Sequence, residues 1–212
     1  MSKTYSKTRI LVECALMIAM GTVLSNIKFF TMPNGGSVTL LSMLPFVLVS
    51  FRHGAKWGLF TGFVNACLQM MLGFWAPPTP TFIYFLGEVL LDYVLAFTAL
   101  GLAWYVAKPF PAARAGRAAG AGTAALVVCV LRYVCSVLSG YVVWKDYDYA
   151  FEWMTNFGWG QTIAGMGENA LCWLYSAVYN ATYMIPETLV TVGAAVVLAL
   201  AAPKLFDSRA KL

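Results

Sequence analysis

Charge is what this sequence has least of. Only 11% of its 212 residues are Asp, Glu, Lys or Arg, and 60% are hydrophobic; an average globular chain is ~25% charged. Mean hydropathy is +0.72. A soluble domain of this size could not hide that apolar excess, because folding leaves much of a chain facing water. A soluble enzyme is excluded on this ground, and so is a disordered chain. Histidine is nearly missing too. His53 is the sole one, and one imidazole cannot serve both a metal site and a base. The five cysteines, at 14, 67, 129, 135 and 172, form no C-x-x-C pair. Four lie in apolar runs, where Cys packs as a small hydrophobe. There is no G-x-x-x-x-G-K-[ST] loop for ATP and no H-E-x-x-H for zinc. No catalytic residue, metal or cofactor is expected.

Long apolar runs are what remain. A membrane-spanning helix needs ~20 apolar residues, so six would take ~120 and leave short loops. The runs place helices at about 9–30, 38–51, 54–74, 82–107, 120–144 and 175–202. The second is short for a full span. Pro33-Asn34-Gly35-Gly36 and Pro77-Pro78-Thr79-Pro80 are turn or loop signals between runs. Arg52-His53-Gly54 makes a tight turn in which His53 is expected to be solvated. The N-terminal run is longer than the apolar core of a signal peptide and reaches no small-residue cleavage site, so it reads as a retained first helix. The expected fold is an all-α integral membrane protein of six transmembrane helices, one membrane domain over 1–212.

The net charge of +5 follows the positive-inside pattern and not nucleic-acid binding. With both termini on one side, eleven bases fall there, and only Lys28 and Lys145 fall opposite. Both termini are therefore expected to be cytoplasmic. The outer side carries Asp146, Asp148, Glu152 and Glu168, which suits capture of a cation. The extended outer loop 145–174 is too polar to span. It reads either as an interfacial lid, with Trp153, Trp159 and Trp173 at headgroup level, or as a surface insertion.

The informative residues are acids inside apolar runs. A carboxylate at mid-bilayer costs roughly 2.5–3.5 kcal/mol, so it normally faces a cavity or a partner. Glu13 lies near the cytoplasmic end of its helix and can reach the interface. Glu187 follows Pro186, which suits a first-turn position where an acid complements the helix dipole. Glu88 and Asp92 stand four apart on one face of the fourth helix, with Asp92 roughly 15 Å down from its outer end. Asp92 either pairs with Arg132, the one base inside a span, or neutralises a cationic ligand. Trp144, Tyr141, Tyr175, Tyr179 and Tyr183 form either an interfacial belt or a cation-facing wall. Asn180 needs partners, since an amide in an apolar helix is costly unpaired. Small-residue stripes, Ala15/Ala19 on the first helix and Gly58/Gly62/Ala66 on the third, let helices approach closely, inside the chain or against another subunit.

Several stretches in order carry a family resemblance: Met32-Pro-Asn-Gly-Gly-Ser-Val-Thr-Leu-Leu-Ser-Met-Leu-Pro45, Ser50-Phe-Arg-His-Gly54, Leu91-Asp-Tyr-Val-Leu-Ala96, Arg132-Tyr133 with Ser139-Gly140 and Trp144, and Tyr175-Ser-Ala-Val-Tyr-Asn180 with Tyr183 and Pro186-Glu187. Over nearly its whole length the chain resembles the thiamine-specific S components of energy-coupling factor (ECF) transporters. The resemblance implies a six-helix bundle in the bacterial cell membrane that binds thiamine, or a related cation, from outside; the alternatives are an S component for a thiamine precursor, an analogue or another vitamin, and a membrane enzyme with Glu88 and Asp92 as an acid–base pair. It implies partners too: a transmembrane coupling subunit, two ATP-binding subunits and the bilayer. By the same resemblance Asp92 stands where the family usually has a ligand-facing glutamate, followed by Tyr93. Gly140 and Trp144 match a pocket glycine and a stacking tryptophan, and Tyr175 and Asn180 match polar contacts. Ala15 and Ala19 match the stripe that docks the coupling subunit. Ser136 stands where the family commonly has histidine. Asp92 is one methylene shorter than glutamate, which gives Glu88 a share in the charge.

Overall fold

A computed structural model describes residues 7–206. Lys3, Arg209 and Lys211, three of the bases assigned to the inner side, lie outside them. The first helix, α1, is Lys7–Asn26. It ends short of the expected residue 30, because Lys28–Thr31 (β1) pairs antiparallel with Ser37–Thr39 (β2). Pro33-Asn34-Gly35-Gly36 turns this hairpin, and both glycines sit at φ 85, a conformation that side chains disfavour.

The hairpin takes Val38 and Thr39 from the second expected helix, and α2 is only Leu44–His53. At 1.5 Å per residue it reaches about half of a bilayer core. Between β2 and α2, Leu41 adopts the left-handed region at φ 58, which costs roughly 1–2 kcal/mol for an L-residue. That turn brings Thr39 and Ser42 side by side, their hydroxyls 2.7 Å apart.

Helix α3 is Ala55–Gly73 and α4 is Phe82–Ala107. Their contact explains the third-helix stripe. A Cβ on Gly58 would lie 2.9 Å from Gly101 Cα, and one on Gly62 would lie 2.5 Å from the Phe97 carbonyl oxygen. Gly58, Gly62 and Ala66 are buried, so this stripe packs inside the chain. Helix α4 is not uniform. It widens to π turns over Val89–Leu95 and tightens to 3-10 turns over Ala99–Leu102. At the tight turn, Ser50 donates to the Gly101 carbonyl at 2.6 Å and accepts from Trp104 N–H at 3.0 Å.

Helix α5, Arg114–Val142, starts ahead of the expected residue 120. The segment expected to be an outer loop is largely helical. It contains α6, Tyr147–Asn156, and α7, Gly160–Ile163. The last helix, α8, is Glu168–Ala201 and begins before residue 175. Asp146 caps α6 by accepting from Tyr149 N–H at 3.0 Å. Glu168 stands in the first turn of α8, where an acid suits the helix dipole. It also binds Lys145 at 2.7 Å, and this hydrogen bond raises the Lys145 pKa.

Among the described residues, four helices, α1, α4, α5 and α8, are long and apolar enough to cross a membrane by length and composition. Their outward faces carry exposed Leu, Val and Phe side chains, as helices facing lipid do. The apolar core lies between α2, α4, α5 and α8 around Phe46, Val47, Leu100 and Val128. At the far end, Met154 and Ile163 pack with Leu171, Tyr175 and Tyr179.

Two expectations change. His53 is buried, not solvated. Its Nε2 lies 2.9 Å from Glu13 Oε2, the oxygen that also accepts from Arg52 at 2.8 Å. Pro186, in turn, is inside α8 and does not start a helix.

Candidate functional site

A cavity of about 310 Å³ opens between the hairpin and helices α1, α3, α4, α5 and α8. That is the lower end of the size of small-molecule pockets. Asp92, Trp144, Tyr175, Asn180, Gly140, Tyr93, Glu88 and Ser136 all line it. These residues come from α4, α5, α8 and the turn after α5.

The acidic wall belongs to the π-widened stretch of α4, a local deviation that recurs at functional sites. Asp92 lies on it and Glu88 immediately precedes it. Trp144 donates its indole N–H to Glu88 Oε2 at 2.7 Å, and Ser139 donates to Asp92 Oδ2. Ser139 is absent from the contacts expected from sequence, although a signal for it exists. Arg132, Ser136, Ser139 and Gly140 fall at helical spacing, and all but Ser139 line the cavity.

The anticipated alternative for Asp92, an ion pair with Arg132, is not the arrangement found. Arg132 Nη1 faces Glu187 Oε2 at 3.6 Å. Glu187 Oε1 accepts from Ser42 at 3.1 Å and from Thr39. Glu187 is thus fully buried in mid-helix, not an acid at a helix start. Nothing local in the sequence points to Thr39 and Ser42 as its partners.

On α8, Asn180 is bonded through both ends of its amide. Its Nδ2 donates to the Ser176 carbonyl at 2.9 Å and the Ser136 carbonyl at 3.3 Å. Its Oδ1 accepts from the Tyr183 hydroxyl at 2.6 Å. Gly140 is needed for this approach of α5 to α8. A Cβ there would fall on the Ser176 hydroxyl and 3.3 Å from Asn180 Nδ2.

Tyr93 uses its hydroxyl on the α3–α4 connection. It accepts from Trp75 N–H at 3.1 Å and stacks on Phe74 at 5.6 Å. Tyr175 lies among aromatic rings, with Trp153 at 5.5 Å and Tyr179 at 5.4 Å. Tyr179 reaches the hairpin tip, where its oxygen accepts from Asn34 N–H at 2.8 Å and its hydroxyl donates to the Gly35 carbonyl at 3.1 Å. Trp153 of α6 stands 5.6 Å from Tyr179, so α6 and the hairpin cover the same end of α8. Ala15 and Ala19 take no part in the cavity lining; both are exposed on α1.

The model of the family described as "Thiamine transporter protein" matches residues 11–207. The chain belongs to this thiamine transporter family. A relative named "Thiamine transporter ThiT", from Bacillus subtilis (strain 168), is 31% identical over 205 residues, 93% of this chain and 94% of its own length. A solved structure of ThiT from Listeria monocytogenes superposes with a TM-score of 0.69 at 24% identity, over 94% of this chain and 98% of that one. At that identity the likeness establishes the fold. The family is one of transporters and not of enzymes. With its long apolar helices, this member is a multi-pass membrane protein.

Proposed function

We propose that the chain is the substrate-binding subunit of an ECF-type importer and takes up thiamine from the extracellular side. The observation that carries this reading is the acidic pair Glu88 and Asp92 on one wall of an otherwise aromatic and polar cavity. Buried carboxylates in a membrane helix mark ligand or ion sites.

Thiamine is a cation with a flat aminopyrimidine ring. Asp92, with Glu88, offsets the thiazolium charge. Trp144 supplies a ring face, worth about 0.5–2 kcal/mol toward a cation and more when water is excluded. Tyr175 and Asn180 hold polar edges of the ligand, with Gly140 and Ser136 shaping the floor and Tyr93 the α4 side. Asn180 bonds Tyr183 and two carbonyls, and the second lone pair of its Oδ1 is open to a ligand donor. The hairpin and the segment 145–174 close over the bound ligand and exclude water. No covalent step occurs and no cofactor takes part.

Six transmembrane segments are proposed, with α3 as a fifth long helix, α2 as a short sixth that reaches about half of the core, and both termini cytoplasmic. The exposed Ala15/Ala19 stripe docks the transmembrane coupling subunit. Two ATP-binding subunits supply hydrolysis, since the chain holds no nucleotide loop. Mass spectrometry of small molecules carried through purification from thiamine-containing medium tests this reading. Thiamine at one per chain supports it. An unrelated ligand at that ratio, or thiamine accumulation by vesicles containing this chain alone, contradicts it.

A further inference from the structure

An arginine in the wall of a cation pocket is an electrostatic problem. Arg132 lines the same cavity as Glu88 and Asp92. Its guanidinium carbon lies 4.7 Å over the ring of Phe97, five residues beyond Asp92 on α4, and its charge bears on the Asp92 carboxylate. A guanidinium bonds a carboxylate through a planar fork of donors, which a diffuse ligand cation cannot match. An Arg132 free to turn to Asp92 would take the site's anion from the ligand.

Glu187 occupies that arginine. It is 1% exposed. Thr39 and Ser42 hold its Oε1, which leaves Oε2 for Arg132 Nη1 at 3.6 Å. Oε2 and Nη1 make no hydrogen bond, to each other or to any other described residue, so at 3.6 Å each is compensated by the other's charge alone. Five charged side chains line the cavity, Lys28, Glu88, Asp92, Arg132 and Glu187; Glu187 offsets Arg132 in this way, so the α4 carboxyl groups are not tied to that arginine.

We propose that Glu187 is a positioning residue for the cation site: it engages Arg132 so that Asp92 stays free for the ligand's positive charge. This rests on the thiamine reading above. The competing role is mechanical, with Glu187 only pinning the chain after the hairpin through Thr39 and Ser42. The two roles differ in what removing Arg132 does.

The test is calorimetric titration of the purified full chain with thiamine. Glu187→Gln keeps the shape and an oxygen acceptor but removes the charge, and affinity is expected to fall about tenfold or more. Glu187→Gln with Arg132→Gln removes both charges and is expected to bind within about threefold of wild type. Unchanged affinity in Glu187→Gln overturns the proposal, and so does a double charge variant as weak as the single one. Should Glu187→Gln fail to fold, the double variant decides alone: it has no buried charge left unpaired, and weak binding by it overturns the proposal. A wild type that does not bind thiamine overturns the underlying reading as well. When wild type binds, a failed outcome in the variants overturns the role of Glu187 alone.

Discussion

The Trp144 indole N–H is bonded to Glu88 Oε2 at 2.7 Å. One bond thus fixes the ring that faces the cavity and orients the first carboxylate of the acidic pair. Trp144→Phe keeps an aromatic face and removes the donor. Trp144→Ala removes both. Thiamine affinity is expected to fall by a few-fold in the first and by at least about tenfold in the second, given cation–π energies of about 0.5–2 kcal/mol plus lost ring contact. Titration of the two variants checks the order. Equal losses would mean that the ring face contributes nothing.

Gly140 allows the contact between α5 and α8, since a Cβ there falls on the Ser176 hydroxyl. Gly140→Ala is expected to destabilise the protein by about 1–3 kcal/mol, as overpacking does, and to weaken binding by disturbing Asn180. Thermal unfolding in detergent measures the first effect and titration the second. Loss of stability with wild-type affinity would detach Asn180 from the ligand.

Tyr179 grips the tip of the hairpin through Asn34 N–H and the Gly35 carbonyl. Tyr179→Phe loses both bonds and keeps the ring against Trp153. The expected outcome is faster thiamine dissociation and faster amide exchange over residues 33–36, with fold stability lowered by only about 1 kcal/mol per bond. Unchanged dissociation would mean that the hairpin does not retain the ligand.

Ala15 and Ala19 are exposed on α1, outside the cavity lining. Ala15→Leu with Ala19→Leu is expected to leave thiamine binding by the isolated chain unchanged. Uptake by vesicles that also hold the coupling and ATP-binding subunits is expected to fall, since bulky side chains block close helix approach. Normal uptake would move the docking surface elsewhere.

The acidic pair is legible in the sequence because charge in an apolar run is costly and therefore rare. Glu88 and Asp92 stand out before any geometry is known, and helical spacing alone puts them on one face. The hairpin is harder to read. Lys28-Phe-Phe-Thr31 continues the apolar run of α1, and only the Pro-Asn-Gly-Gly turn points to a change of direction. The start of α8 is misplaced because Glu168 and Asn169 in its first turn are polar, although Ala170-Leu-Cys-Trp-Leu174 already continue the apolar run. Glu187 is misread for another reason. Its partner Ser42 lies 145 residues away, and local rules about proline and helix dipoles cannot see a contact made by the fold. The same holds for Arg132, whose pairing with Glu187 on α8 and not with Asp92 on α4 is made by the packing of the helices.

The central claim is that a cavity carboxylate on α4 binds the positive charge of thiamine. Calorimetric titration of wild type and Asp92→Asn with thiamine tests it most directly, because Asn keeps the size of Asp and a partner for Ser139. A hydrogen bond to a charged group contributes about 1.5–3 kcal/mol, so Asp92→Asn should bind roughly 10- to 150-fold more weakly than wild type at one site per chain, and Asp92→Asn with Trp144→Ala should bind more weakly still. Wild-type affinity in the double variant would contradict the account.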